Sequence, residues 1–334
     1  MAKSILILSN KSSGSSAVQR LLAQSVDLQC LAKTKHFENE SLYWTKAASV
    51  LGMPQQDMLD SEVPIPQAAA RQDLITLLQE NLPEGDDLAA SWLANELPDH
   101  HPALGTQQRD KSLVFEGWRR LCQQYEPIFL EKSPHHLLQW SSLSLITECI
   151  DQLEGEVDFL LIGLVRNPMD TLYSAFRRWK TPPEKLQYEW LKSYTHLRQL
   201  TQQLGLYSGD SSGDSSGDAA AGEASGRVVI VRYEDLATSL ASLQPVFDFC
   251  QAQPNAQTPC LNRKSLLKWQ QDKYFGFTLA PEVQALAEAY GYTPTELTNR
   301  PWRFWPLYRD LLRGFHQSTR WAKALYIRLT LTGR

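Results

Sequence analysis

The chain is poor in the features that mark several common protein classes. Its 334 residues include five cysteines, Cys30, Cys122, Cys149, Cys250 and Cys260, an odd and scattered set without a Cys-x-x-Cys pair. That argues against a disulfide framework and a zinc site, and it fits a reducing compartment. No apolar run approaches the roughly 18 residues needed to cross a bilayer, and the run Ile5-Leu6-Ile7-Leu8 is too short for the core of a signal peptide. Cytoplasm is therefore the expected location. Charge of one sign is also lacking, with 33 Lys and Arg against 37 Asp and Glu and a net charge of −4. No global field attracts nucleic acid, so a bound anion must be held by local groups.

What is present is a set of short apolar runs that each end abruptly in polar residues. Ile5-Leu6-Ile7-Leu8, Phe159-Leu160-Leu161-Ile162-Gly163-Leu164-Val165 and Val228-Val229-Ile230-Val231 are too short for helices. They read as strands buried on both faces of a parallel sheet. Ile128-Phe129-Leu130 is a weaker candidate, and Leu28-Gln29-Cys30-Leu31-Ala32 another. Helical stripes lie between them: Ala70, Leu74, Leu77 and Leu78, then Phe115, Trp118, Leu121, Cys122 and Tyr125. The alternation predicts an α/β fold, a central parallel sheet flanked by helices. Ligands of such sheets bind where the carboxyl ends of the strands meet the following loops. The whole chain, 1–334, reads as one domain. Residues 208–226, rich in Gly, Ser and Asp, read as a disordered insertion rather than a domain boundary.

Two polar clusters follow strand candidates. The first is Ser9-Asn10-Lys11-Ser12-Ser13-Gly14-Ser15-Ser16, leading into the helical Ala17-Val18-Gln19-Arg20-Leu21-Leu22. Strand, small-residue turn and helix N-terminus together make an anion site, because free N–H groups converge there and the helix dipole is positive. A Walker-type loop needs Gly-x-x-x-x-Gly-Lys-Ser/Thr, which is absent. The second cluster is Arg166-Asn167-Pro168-Met169-Asp170-Thr171-Leu172-Tyr173-Ser174. Asn167 suits an N-cap, Pro168 the first helical position and Asp170 the first turn, so a helix is expected from Pro168. Ser174 then faces back toward the cap, and Arg166 can grip a phosphate bidentately. Surface pairing of Arg166 with Asp170 is the plainer alternative.

Together these clusters resemble the sulfotransferase superfamily that uses 3′-phosphoadenosine 5′-phosphosulfate (PAPS). Ser13-Gly14-Ser15-Ser16 is similar to the family loop that holds the 5′-phosphosulfate. Arg166, Pro168 and Ser174 match its Arg-x-Pro-x-x-x-x-x-Ser signature for the 3′-phosphate. Glu131-Lys132-Ser133-Pro134 and Arg232-Tyr233-Glu234-Asp235-Leu236 resemble two further segments of bacterial and Golgi-type members. The resemblance implies a P-loop-like nucleotide-binding fold and transfer of a sulfuryl group to an acceptor hydroxyl. It further implies PAPS as co-substrate, 3′,5′-adenosine bisphosphate as product, and contacts to the nucleotide from Lys11, Ser12, Ser13, Gly14, Ser15, Ser16, Arg166, Ser174 and Tyr233.

Two departures stand out. The family's loop cation is replaced by Ser12, so either Lys11 reaches round or Lys132 substitutes. The adenine-stacking aromatic of cytosolic members is replaced by Ala17, which brings the loop closer to carbohydrate sulfotransferases and the acceptor toward a glycan. Lys33-Thr34-Lys35-His36-Phe37-Glu38-Asn39-Glu40 resembles the base-bearing segment of glycan sulfotransferases, with Thr34 where the family has its glutamate. His36 is the leading candidate for the base, since an ordinary imidazole suits proton abstraction near neutrality; Glu38 and Glu40 are the alternatives. Cations and backbone donors suffice for this chemistry, and no metal is expected. His135 and His136, at an expected helix start, read as turn residues.

Residues 300–334 carry Arg300, Arg303, Arg309, Arg313, Arg320, Lys323, Arg328 and Arg334 against Asp310 alone. Phe304, Trp305, Tyr308, Leu311, Leu312 and Phe315 recur at helical spacing. This predicts a helix packed on the core with a basic outer face, or contact with an anionic acceptor or membrane surface. The rival functions are a phosphoryl-transfer enzyme, which would need Mg²⁺, and a non-catalytic nucleotide- or glycan-binding protein.

Overall fold

The computed structural model describes residues 1–36, 38–94, 106–207, 226–253 and 258–331. The chain divides into two compact units, Met1–Arg166 with Lys192–Arg263 and Asn167–Leu191 with Lys264–Arg334.

The first unit is built on four parallel strands in the order β2-β1-β3-β4: β1 Ala2–Ser9, β2 Ile128–Lys132, β3 Val157–Val165 and β4 Val228–Arg232. Ile5, Leu6, Ile7, Leu8, Leu160, Leu161 and Ile162 are wholly inaccessible, as continuous apolar runs require when helices cover both faces of a parallel sheet. Gly163 sits mid-strand because a Cβ there would lie 2.7 Å from Leu197 and 2.9 Å from Ile230. The helices are α1 Ser15–Ser25, α2 Tyr43–Val50, α3 Gln67–Asn81, α4 Leu88–Ala94, α5 Thr106–Gln124, α6 His135–Leu138 and α7 Trp140–Gln152. An aromatic cluster of Tyr43, Trp44, Phe115, Trp118 and Phe129 packs α2 and α5 onto β2.

The segment 28–32 does not form the expected strand. Gln29 makes a single parallel bridge to Phe129, with both backbone bonds at 2.8 Å. The next donor, Ala32 N–H, goes to Tyr125 Oη at 3.0 Å. Only Leu31 in this stretch is buried, so it has no apolar face to hold it along the sheet.

In the second unit, α8 (Pro168–Trp179) starts where its caps predict: the Asn167 side chain accepts from the N–H groups of Met169 and Asp170, at 2.8 and 3.3 Å. Asp170 Oδ2 accepts from Leu267 N–H at 3.0 Å. Helix α9 (Pro183–Leu204) begins in this unit and ends in the first, which then continues through β4, α10 (Tyr233–Leu236) and α11 (Gln244–Cys250). The second unit closes with α12 Lys268–Gln271, α13 Pro281–Ala289, α14 Pro294–Leu297 and α15 Trp305–Leu331.

Helix α15 corrects the packing expected of the C-terminal segment. Trp305 is buried, and its Nε1 donates to Glu184 at 2.9 Å, but Phe304, Leu311 and Phe315 face solvent. Arg309 turns inward to Glu184, at 2.7 Å, while Arg300 and Arg303 are exposed. The Gly/Ser/Asp insertion lies outside the described residues apart from Gly226, as does the end of the segment, 332–334.

Candidate active site

The strand register aligns the carboxyl ends of the sheet. Ile7 faces Lys132, Ser9 faces Leu164 and Val165 faces Arg232, so the residues that follow β1, β2, β3 and β4 emerge along one edge. There the loop from Ser9 to Gly14 folds back on itself through Ser13 N–H to the Asn10 carbonyl, at 3.2 Å. Ser12 and Gly14 both adopt left-handed backbone, φ 64° and 87°. At Gly14 the conformation and the space both demand glycine, since a Cβ would lie 2.2 Å from the Tyr233 ring.

Helix α1 starts at Ser15 with Gly14 as its cap and no side-chain capping bond. The first N–H groups of a helix have no partner within it. Ser15 and Ser16 thus open the helix with donors at its positive end, suited to an anion.

The loop is braced from three sides. Arg166 Nη1 donates to the Ser12 carbonyl at 2.9 Å, and its guanidinium lies 4.6 Å from the centre of the Tyr233 ring. Tyr194 donates its hydroxyl proton to the Leu164 carbonyl at 3.0 Å, so its oxygen accepts from Ser13 Oγ, also at 3.0 Å. Burial pushes the Tyr194 phenol up to about 12, keeping it a neutral donor. Asn10 Nδ2 donates to Ser193 Oγ at 3.1 Å. Ser193 and Tyr194 belong to no local motif, because they lie midway along the long helix α9. The available signal was Tyr194 sharing a stripe with Trp190 and Leu197, since a tyrosine on an apolar face needs a partner for its hydroxyl.

Two cations were candidates for the loop, and the structure places them differently. Lys11 Nζ donates to the carbonyls of Leu59 and Asp60, at 2.9 and 2.8 Å. Lys132, fully buried at the end of β2, donates to Ser16 Oγ at 3.0 Å, the Glu38 carbonyl at 3.0 Å and Glu40 Oε1 at 2.8 Å. Those three bonds use all three ammonium protons. Ser16 Oγ in turn donates a hydrogen bond to Glu38 Oε2 at 2.9 Å.

Glu40 is the hub of this corner. Besides Lys132 it lies 3.8 Å from Nδ1 of both His36 and His135. His36 is partly exposed, and its Nδ1 also faces the Glu38 N–H at 3.3 Å. A bare Nδ1 accepts from that N–H, whereas a protonated Nδ1 can turn its charge to Glu40, so the ring has a partner in either state. His135 is held at Nε2 by Ser61 Oγ, 2.9 Å away. Burial, reinforced by Lys11, His136, His36 and Lys132, holds its imidazole well below the ordinary value.

Behind Lys132, Glu131 accepts from Ser41 at 2.6 Å and Ser133 at 2.5 Å, with His136 Nε2 3.4 Å away. Burial alone would raise this carboxyl, but the attraction of His136 and the hydrogen bonds outweigh it and leave it lowered. Glu131, Ser133 and His136 therefore form a buried polar core beneath the site, and His135 and His136 open α6, both buried. Ser174 lies in α8 of the second unit, half-buried, eight residues from Arg166 in sequence. Its assignment rests on that spacing. Among the described residues no group of His, Cys, Asp and Glu side chains is arranged to hold a metal ion.

The sequence profile of the sulfotransferase family matches residues 4–253, from the first strand through the loop, Arg166 and Tyr233 to beyond the last strand. The chain belongs to the sulfotransferase family. No curated protein matches this sulfotransferase. The family establishes a transferase of sulfuryl groups, and the four-stranded parallel sheet with flanking helices is consistent with its fold.

Proposed function

We propose that this sulfotransferase moves the sulfuryl group of PAPS to a hydroxyl of a carbohydrate or glycoconjugate, with residues 9–16, Lys132 and Arg166 as the nucleotide side of the site. The observation that carries the reading is the position of Lys132, whose ammonium rests on Ser16 at the first turn of α1. It offers the cation that the loop sequence lacks at Ser12. The site suits an oxyanion-rich ligand: N–H groups of Ser15 and Ser16 and the Arg166 guanidinium as donors, with the charge of the buried Lys132 behind them.

Bound PAPS would supply the sulfuryl group and a bisphosphate leaving group. The chain's own part is to hold the phosphates, lend positive charge beside the departing oxygen and remove the acceptor's proton. His36 is the proposed base, supported by its partial exposure and by Glu40, which would steady the imidazolium once the proton is taken. Glu38 is less suited, since Oε2 already accepts from Ser16, and Glu40 because it is committed to Lys132. Lys11 acts at one remove, tying the loop to residues 59–60. The glycan preference rests on the loop's resemblance alone.

The test is transfer of labelled sulfuryl from PAPS to a panel of sugar, phenol and steroid hydroxyls, with EDTA present. Incorporation into sugars is expected. Selective labelling of phenols would overturn the glycan reading, and no transfer to any acceptor would overturn the catalytic one.

A further inference from the structure

The last helix presents an apolar face that its own unit does not cover. Leu307, Leu311 and Phe315 are 62%, 64% and 72% exposed, and Trp321 is 70% exposed. The first three are spaced by four residues along α15 and so line one side of it, with Phe304, half exposed, at its start. The opposite side anchors the helix: Trp305 is 4% exposed, and Trp305 Nε1 and Arg309 Nη1 both bond Glu184, at 2.9 and 2.7 Å. The helix is therefore fixed with its greasy face outward, an arrangement soluble monomers rarely tolerate over contiguous area.

Charge identifies the occupant. Residues 300–334 contain eight of the chain's 33 Lys and Arg but one of its 37 Asp and Glu. Pairing two copies through this segment would bring two cationic helices together, which disfavours self-association. Leu, Phe and Trp along one helical face, in a segment this rich in cations, suit a surface that is anionic outside and apolar beneath. No described helix is long and apolar enough to cross a membrane.

We infer that α15 is an interfacial helix that docks the enzyme on anionic lipid bilayers, with Leu307, Leu311, Phe315 and Trp321 entering the acyl boundary. This goes beyond the catalytic reading and does not depend on it.

Flotation of the full chain with phosphatidylcholine vesicles, and with vesicles in which about a third of the lipid is phosphatidylserine, tests the inference. Binding to the anionic vesicles is expected to exceed binding to neutral ones by roughly tenfold and to fall several-fold in high salt. The double variant Leu311→Glu/Phe315→Glu should reduce flotation to background while leaving the melting temperature unchanged, since both residues are exposed. Equal binding to both vesicle types, or none, would overturn the inference, as would a dimer in lipid-free solution that the double variant dissolves. The salt dependence of the unaltered chain keeps the test valid should the double variant misfold.

Discussion

Lys132 Nζ donates to Ser16 Oγ across 3.0 Å, joining the end of β2 to the first turn of the helix that follows the serine-rich loop. The two residues are 116 positions apart, and neither motif alone implies that they meet. Their meeting turns an ordinary serine-rich bend into one with a fixed positive charge beneath it. Lys132 has no exposed surface and its charge is matched by Glu40. The ammonium is thus oriented before any ligand arrives, the condition under which a charge stabilises a transition state most effectively.

Lys132→Met should therefore fail twice over, and the two failures are separable. Leaving Glu40 buried without its cation is expected to cost about 3–5 kcal/mol of folding stability, measured by urea unfolding. Loss of the charge at Ser16 should lower kcat by about a hundredfold or more. Glu40→Gln removes the ion pair but keeps the cation, so a comparable stability loss with a smaller fall in kcat is the expected contrast. Equal kcat losses in the two variants would show that Lys132 acts only through folding.

Gly14→Ala tests the loop from its backbone side. The left-handed φ of 87° and a Cβ position 2.2 Å from the Tyr233 ring leave no room for a methyl group. Tyr233 can yield only by leaving its place over Arg166. A loss of about 1–3 kcal/mol is expected from the strained backbone alone, together with weaker binding of adenosine bisphosphate. A crystal structure of the variant should show the Tyr233 ring displaced; an unmoved ring with normal binding would contradict the close packing described above.

Much of the sheet was legible because both faces of its strands are covered, which leaves continuous apolar runs at 5–8, 159–165 and 228–231. The start of α8 was legible because Asn167, Pro168 and Asp170 act locally. The segment 28–32 was misread because one bridge to Phe129 and a bond from Ala32 N–H to the Tyr125 hydroxyl fix it, and neither is a local property. The outward face of α15 was missed for a similar reason. Spacing reveals an apolar stripe but not whether anything covers it. In the candidate site, the loop and Arg166 stand out by their spacing, while Tyr194 and the pairing of Lys132 with Glu40 depend on contacts 181 and 92 residues distant in sequence.

His135 makes the protein's acid sensitivity predictable in direction. Its imidazole is held well below the ordinary 6.5, first by burial and then by the surrounding cations. His196 is lowered as well, chiefly by burial. In the unfolded chain both take up protons as pH drops through about 6.5, while the folded protein resists, so the unfolded state binds more protons and stability falls. Each group can contribute up to about 1.4 kcal/mol per pH unit below that point. Melting curves should show a decline between pH 6.5 and 5, before the carboxylates titrate, and His135→Gln should flatten it. Glu131, with its lowered carboxyl, adds a further loss only below its ordinary value of 4.5. A pH-independent melting temperature from 7 to 5 would show that His135 is protonated in the folded protein.

Arg166 has two tasks that a single truncation would confuse. Its Nη1 bond to the Ser12 carbonyl shapes the loop, and its guanidinium is the proposed grip on a nucleotide phosphate. Arg166→Ala should weaken binding of 3′,5′-adenosine bisphosphate by about 2–5 kcal/mol, the usual cost of removing one partner of a desolvated charge pair. Arg166→Lys separates the tasks, because lysine keeps the charge and can reach a carbonyl but cannot form a bidentate bond to phosphate or stack on Tyr233 in the same way. If the guanidinium holds phosphate, the lysine variant should recover the melting temperature of the ligand-free protein while regaining little of the affinity. Calorimetric titration with the bisphosphate, and with 5′-AMP as a ligand lacking the 3′-phosphate, then decides the role. The alanine variant should lose affinity for the bisphosphate far more than for 5′-AMP, and equal losses for both would assign Arg166 to the loop alone.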